Sequence, residues 1–354
     1  MPGDESLSVR EYEILSAAIR EYIETGEPVA SRSLSKRRKD GLSAASIRNA
    51  MADLADRGYL SQPHTSAGRI PTEKAFRYYV RSAVASRISL AEAQRIRLEL
   101  GGAETAEQRV GLSSHILVEM TRNVAIAAAQ PTAGQILDQI ELVPLTDGRL
   151  LAVLVTRDHS VRNRVLDLDH PIAQEELISI RNYVNHHFAG WTISQIRQEL
   201  LRRMDAERAA YDAMMRRLLM LYGKGLLDVN DPPAIHMEGA ANLFGIDLQL
   251  TREKMRDLFR ALEEKKRLVT LLDRLLDSAS GELQVQVGLE AVHPSMKPLC
   301  LIGLAVEMPS GHTAKIAVLG PVRMHYERVM GAVLHIGQSL ANPSGAAVPP
   351  SSIC

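Results

Sequence analysis

The chain has 354 residues, with 42 basic and 42 acidic side chains and a hydrophobic fraction of 45%. This length exceeds what one hydrophobic core usually supports, so two or three domains are expected, and the near-average composition argues against a mainly disordered chain. Apolar runs such as 150–155 and 299–306 are too short to span a membrane, no secretory signal is recognisable, and the two cysteines lack CxxC spacing. We therefore expect a cytoplasmic protein with no membrane segment, disulfide framework or cysteine zinc site.

The charges are unevenly distributed along the chain. Residues 1–30 hold two arginines and seven acids, a balance of −5, whereas residues 31–87 hold twelve basic residues and four acids, a balance of +8. A local positive excess is typical of nucleic-acid binding, although a solvated surface is the common alternative. The basic run around Arg37 and Arg38 is the first candidate for contacts with DNA phosphates.

The first sixty residues predict three helices. Ser8 and Glu11 form a capping box, and apolar side chains at helical spacing follow until the break at 25–28. A short second helix begins at Ser31, and Ser43 caps a third after a glycine-containing turn. This order of helices is typical of a helix-turn-helix.

The third helix carries side chains suited to reading DNA bases. Its predicted outer face holds Ala45, Arg48 and Asn49, which can contact a thymine methyl, a guanine and an adenine, respectively. Ser43 and Ser46 lie at the start of the helix, where hydroxyl and backbone donors suit a phosphate. Taken alone, Arg48 and Asn49 are also consistent with an ordinary solvated helix face.

A polar loop after the third helix predicts a wing. Strand signals flank the polar loop 62–72, which includes His64 and Thr65. Arg69 is expected near the tip of this loop, where an arginine can lie along the DNA backbone or minor groove.

The remainder of the chain predicts an α+β body. Residues 86–111 read as a helical connector, and a helix is expected over 112–129. One antiparallel sheet is expected from strand-like runs at 136–145, 150–156, 161–168, 235–239, 283–288, 299–307 and 313–319. Two helices are expected across 251–278 and a last one at 325–340.

A methionine-rich helical segment, 171–225, is expected to interrupt this sheet. Methionines at helical spacing indicate either ordinary core or a self-association surface, and the sequence leaves both open.

Motifs for catalysis are missing from the sequence. No GxxxxGK[ST], GxGxxG after a strand, HExxH or GxSxG pattern occurs, so neither an enzyme nor a cofactor is expected. His186 and His187 are the most metal-like pair, but adjacent helical residues point about 100° apart, which favours two solvated histidines over one metal site.

Several stretches resemble the signature of the heat-inducible transcription repressor HrcA family. They are Tyr22–Val29, Ser46–Asn49, Met51–Leu54, Gly58–Leu60, Gln62–Thr72 and Arg77–Val80, together with the C-terminal region from Val285–Gly288 through Val318–Tyr326. The resemblance covers nearly the whole chain and is sharpest in the first eighty residues.

The resemblance implies a division of the chain into domains. A winged helix-turn-helix at 1–85 and the connector at 86–111 precede a GAF-like domain, 112–170 and 226–340, which is interrupted by an inserted dimerisation domain at 171–225. Residues 341–354 are expected to be a disordered tail.

The resemblance also implies a function. A homodimer would bind double-stranded DNA at an inverted-repeat operator of the CIRCE type, repress chaperone genes and be activated by the chaperonin GroEL. Two alternatives stay open: a small-molecule-responsive regulator of a metabolic promoter, and a protein-binding module with incidental DNA contact.

Overall fold

The described part of the chain forms twelve α-helices and ten β-strands. The structure is a computed structural model, which describes residues 7–37, 42–64, 67–206, 213–228, 233–244, 246, 248, 250–276 and 281–342. The helices are α1 (Val9–Thr25), α2 (Ser31–Arg37), α3 (Ala44–Asp56), α4 (Glu73–Ser82), α5 (Leu90–Gly101), α6 (Ala106–Thr121), α7 (Gln174–Phe188), α8 (Ile193–Ala206), α9 (Ala213–Gly223), α10 (Arg252–Glu263), α11 (Lys265–Leu275) and α12 (Tyr326–Ala341). The strands are β1 (Leu60–Ser61), β2 (Ile70–Pro71), β3 (Val124–Pro131), β4 (Leu137–Pro144), β5 (Arg149–Thr156), β6 (Val161–Asp167), β7 (Ala234–Glu238), β8 (Gln284–Val287), β9 (Leu299–Met308) and β10 (His312–Pro321). Of the expected tail, the described residues include only Ala341, which ends α12, and Asn342.

The N-terminal unit consists of α1, α2, α3 and the antiparallel ribbon β1–β2. The capping box is confirmed, since Glu11 accepts from the Ser8 backbone N–H at 2.8 Å while Ser8 Oγ accepts from the Glu11 N–H. The predicted third helix is also confirmed, and its inner face buries Ile47, Met51 and Leu54. Local caps and an apolar stripe therefore suffice to define these helices.

A five-stranded antiparallel sheet forms the body, in the order β7-β3-β10-β9-β8. Alternation along β3 shows that both faces of the sheet are covered. Ala125 and Ala127 face a core shared with α6, α12 and the N-terminal unit, whereas Val124 and Ile126 face a second core shared with α10 and α11. The N-terminal unit and the body thus share a continuous hydrophobic core.

The prediction of a helix over 112–129 is wrong for the second half of that range. The helix α6 ends at Thr121, Arg122 adopts a left-handed conformation with φ 53°, and the central strand β3 begins at Val124. The strand is rich in alanine, a strong helix former, and no glycine or proline separates it from α6. Burial between two helical layers decides the structure here and overrides local propensity.

The expectation of one sheet is also wrong. Strands β4, β5 and β6 form a separate three-stranded antiparallel sheet, and one face of that sheet shares a core with α7, α8 and α9. The expected range of the insert, 171–225, therefore omits three strands with which its helices pack. We call this unit, from Ile136 to Asp228, the insert.

The insert leaves the body between two paired strands. The strand β3 ends at Pro131, and β7 begins at Ala234, whose pairing partner on β3 is Ala129. The chain therefore departs and returns at neighbouring points of the sheet edge. Within the insert, Met215 is buried and Met214 and Met220 pack against the same core, which favours the core reading for these methionines.

A buried polar group lies where the insert joins the body. His312, at the start of β10, is 2% exposed, and its ring nitrogens lie 3.4 Å from Gln135 Nε2 and 3.5 Å from Asp158 Oδ2. Burial lowers the pKa of His312, and the nearby Asp158 carboxylate opposes this only in part.

Acidification is expected to destabilise the folded chain through His312. The imidazole has a pKa of about 6.5 in the unfolded chain and a lower pKa in the folded chain. Between these two pH values, the unfolded chain binds a proton that the folded chain does not. The contribution of the neutral His312 ring to stability is therefore complete above about pH 6.5 and is lost as the pH falls towards the folded pKa. Thermal unfolding at several pH values should show a weaker pH dependence in His312→Gln than in the native chain. Equal dependence in both proteins would contradict the assignment. Burial also lowers the pKa of His335. This histidine is present in both proteins, so its effect is the same in both.

Candidate nucleic-acid interface

The outer face of α3 presents the predicted base-reading side chains together. Ala45, Arg48 and Asn49 are all exposed, while the opposite face of α3 is buried on α1 and α2. At the start of the helix, Ser43 Oγ accepts from the Ser46 N–H at 3.1 Å and lies 3.2 Å from Ser46 Oγ. The cap fixes the helix start, and the exposed face beyond it offers donors for a groove.

The basic run after α2 is partly neutralised by acids of α1. Arg37 is exposed, and its Nη1 donates to Glu24 Oε2 at 2.7 Å while its Nε lies 3.9 Å from Glu21 Oε2. The hydrogen bond to Glu24, followed by the charge of Glu21, raises the pKa of Arg37. Arg37 can therefore bind a phosphate only if the phosphate shares the guanidinium with Glu24 and Glu21 or displaces them. Arg38 lies outside the described residues.

In the loop between β1 and β2, His64 is exposed, while Thr65 lies outside the described residues. Arg69 does not lie near the loop tip, so that expectation is wrong. Its backbone N–H and C=O exchange two 2.9 Å hydrogen bonds with Val29 at the base of the ribbon. No sequence pattern predicts this pairing, because a one-residue bridge has no periodicity. Gly68 permits it, since a Cβ there would lie 2.5 Å from the Val29 carbonyl oxygen.

The N-terminal unit is attached to the body through α4 and the start of α12. Arg77 donates to the Val287 carbonyl at 3.2 Å, and the Tyr79 hydroxyl donates to Glu327 while it accepts from Arg20 at 3.2 Å. Burial, followed by the bond to Glu327, raises the pKa of Tyr79 to about 12, so the phenol stays protonated. These contacts do not use the outer face of α3.

Among the described residues, no three His, Cys, Asp or Glu side chains are grouped so that they could hold a metal. None of the described helices has the length and apolar character of a membrane span. His186 and His187 are both exposed, with rings 4.9 Å apart and inclined by 84°. The two rings are in edge-to-face contact, and the His187 ring also packs against Tyr183, with the ring centroids 4.4 Å apart.

A family model and curated relatives both indicate the same family. The family model "HrcA protein C terminal domain" matches residues 107–330. Curated proteins named heat-inducible transcription repressor HrcA are similar along almost the full chain: that of Sorangium cellulosum is 40% identical, with 92% of this chain and 95% of the relative covered. The chain belongs to the HrcA family.

A second HrcA relative, from Geobacter sulfurreducens, is 38% identical, with 92% of this chain and 95% of the relative covered. The family model does not match the first 106 residues. Alignments that cover 92% of the chain must include most of these residues, so the region of α3 is also similar to the relatives. The relatives are named as transcription repressors and not as enzymes.

A solved structure shares the fold of this HrcA-family chain. A crystal structure described only as that of a hypothetical protein has a TM-score of 0.57 and 21% identity, and covers 95% of this chain and 97% of its own. At this identity the likeness concerns the fold alone.

Proposed function

We propose that this protein represses heat-inducible genes by binding operator DNA through α3. The observation that carries the proposal is the exposed group Ala45, Arg48 and Asn49 on a helix whose other face is buried, in a chain of the HrcA family. In this proposal the N-terminal unit is a winged helix-turn-helix with β1–β2 as its wing, and the body is GAF-like. DNase I footprinting upstream of chaperone genes should show protection of an inverted repeat, and no protection beyond that of unrelated DNA would contradict the proposal.

We propose that the operator is an inverted repeat because the repressor acts as a homodimer, and that the insert forms the dimer contact. The outer face of its sheet, opposite the helices, carries one wholly apolar cross-strand row, Val143, Leu151 and Val165. In the next two rows, Val153 lies between Glu141 and Asn163, and Val155 lies between Gln139 and Val161. Val161 is 60% exposed, Val165 52% and Val143 44%, and exposed apolar side chains beside polar ones are typical of association sites.

Charges on this face are expected to separate the dimer. Val161→Glu with Val165→Glu should give a folded monomer, because two buried carboxylates per protomer would lose their hydration at the contact. Sedimentation velocity measures the change. The matched control places glutamate at Val84, which is 74% exposed and lies outside the insert. If both variants remain dimeric, the sheet face is not the contact.

The wing and the basic run are proposed to bind DNA phosphates. Arg69→Gln and Arg37→Gln should each weaken binding to any DNA sequence, and each lost phosphate contact should reduce the slope of log K against log salt by about 0.9. Titrations at several salt concentrations measure this slope. An unchanged slope in either variant would place that side chain away from the backbone.

We further propose that the operator is of the CIRCE type and that GroEL raises the active fraction of the repressor. The fold supports chaperonin dependence, because β3 must pair with β7 across the whole insert, and such distant pairings expose apolar surface during folding. Refolding with and without chaperonin, followed by titration of active sites on operator DNA, tests this. Equal active fractions in both arms would contradict GroEL control and leave DNA binding untouched.

A further inference from the structure

A cleft of about 470 Å³ lies where the N-terminal unit meets the body. Ile23, near the end of α1, lines one side, Met120 and Arg122 at the end of α6 line another, and the segment that leads into α12 completes it. Its volume falls in the range of small-molecule sites. The cleft lies away from the outer face of α3.

Three arginines dominate the charge of this cleft. Arg122, Arg323 and Arg328 line it and are exposed, and within the described residues none of them forms an ion pair. Glu119 also lines the cleft, but its carboxylate is bound by Arg95 at 3.0 Å and by His115 at 3.5 Å. The cleft therefore carries an excess of positive charge.

Two further acids, Glu92 and Glu327, do not line the cleft. Glu327, in the first turn of α12, is bonded by Tyr79 and lies 3.6 Å from Arg20. Glu92 accepts from the Ser89 hydroxyl at 2.7 Å, and the positive charge of Arg328 helps to lower its pKa. Glu92 therefore offsets part of the charge of Arg328, and the positive excess of the cleft rests chiefly on Arg122 and Arg323.

The first turn of α12 adds donors at the same place. The helix has 16 residues, its N-cap His325 makes no side-chain capping bond, and His325, Arg328 and Val329 all line the cleft. The first backbone N–H groups of a helix have no acceptor within the helix, and the helix dipole favours an anion there.

One of the arginines also joins the two units. The Arg323 guanidinium lies 5.9 Å from the centroid of the Tyr22 ring, and a Cβ at Gly26 would lie 2.2 Å from its Nη1. Gly26 has φ +74° and ends α1, so the guanidinium packs directly on the end of that helix. A ligand bound by Arg122 and Arg323 would therefore lie beside Ile23, the lining residue from the N-terminal unit, and so between the two units.

We propose that this cleft is a binding site for a small multivalent oxyanion, a phosphate- or carboxylate-bearing metabolite, held by Arg122, Arg323, Arg328 and the start of α12. Guanidinium groups bind such oxyanions in bidentate geometry, and Ile23 and Met120 provide apolar surface for the carbon part of the ligand. The bound anion fixes the N-terminal unit against the body. Its effect on operator binding rests on the proposed function, but the site itself does not.

Calorimetric titration of the full chain with pyrophosphate and with citrate, at constant ionic strength, tests the site. We expect saturable binding of one anion per chain, with the tighter of the two ligands identifying the phosphate or carboxylate class. Arg122→Gln with Arg323→Gln should weaken this binding by about 100-fold, because two charge-assisted contacts are lost. The matched control, Arg252→Gln with Arg256→Gln on exposed positions of α10, should leave it unchanged.

Two results would overturn the proposal: no saturable binding of either anion to the native chain, or equal weakening in both double variants. If the native chain binds no anion and the double variant at Arg122 and Arg323 reduces the salt slope of DNA binding, the arginines contact the DNA backbone instead. The calorimetric titration contains no DNA, so failure of the site and failure of the proposed function are distinguishable.

Discussion

Replacing Arg48 and Asn49 by alanine is expected to abolish most of the preference for operator DNA. Each side chain is exposed on α3 and should contribute about 1–3 kcal/mol per half-site through contacts with base edges, whereas affinity for unrelated DNA should change little. Titration of labelled operator and scrambled duplexes measures both affinities. The double variant should fold normally, because neither side chain belongs to a core.

Arg10 provides the matched control for this experiment. It is an exposed arginine in the first turn of α1 and does not belong to α3, so Arg10→Ala removes the same charge without removing a base contact. Equal losses on operator and scrambled DNA for the α3 variant would make Arg48 and Asn49 phosphate contacts or structural residues.

Removing the insert at the right boundaries is expected to leave a folded protein that binds a single half-site weakly. Because Ala129 pairs with Ala234, a short turn that replaces residues 132–233 can join β3 and β7 as a hairpin within the five-stranded sheet. Loss of the tethered second subunit should lower the affinity for the full inverted repeat by about 100-fold or more.

A shorter deletion serves as the contrast. Removing only 171–225 leaves β4, β5 and β6 without the helices that cover Ile140, Ala152 and Leu154, so that variant should aggregate. Circular dichroism and sedimentation compare the two deletions. A soluble, dimeric product from the longer deletion would contradict the assignment of dimerisation to the insert.

The sequence predicts the N-terminal unit well because its helices are defined locally. The capping box of α1 and the Ser43 cap of α3 lie within four residues of the groups that they satisfy, and the buried stripe of α3 leaves Arg48 and Asn49 outside by geometry alone. The predicted position of Arg69 is wrong because its partner, Val29, is forty residues away in the sequence and forms only a single bridge with it.

The structure of the body does not follow from local sequence patterns alone. Half of the residues of strand β3 are alanines, which form a strand because two other strands and two helical layers surround them. Similarly, the alternating pattern of β4–β6 indicates strands but not their sheet, which depends on the helices that follow. The arginine cleft joins residues 122 and 323, and no periodicity links positions so far apart.

The most direct test of the central claim is an equilibrium titration of the full chain on a duplex that carries the inverted repeat found by footprinting, beside duplexes with one half-site and with a scrambled repeat. The account predicts saturation at two chains per inverted repeat, affinity about 10³-fold or more above that for the scrambled duplex, and intermediate affinity for the half-site. Equal affinity for the inverted repeat and the scrambled duplex would contradict it.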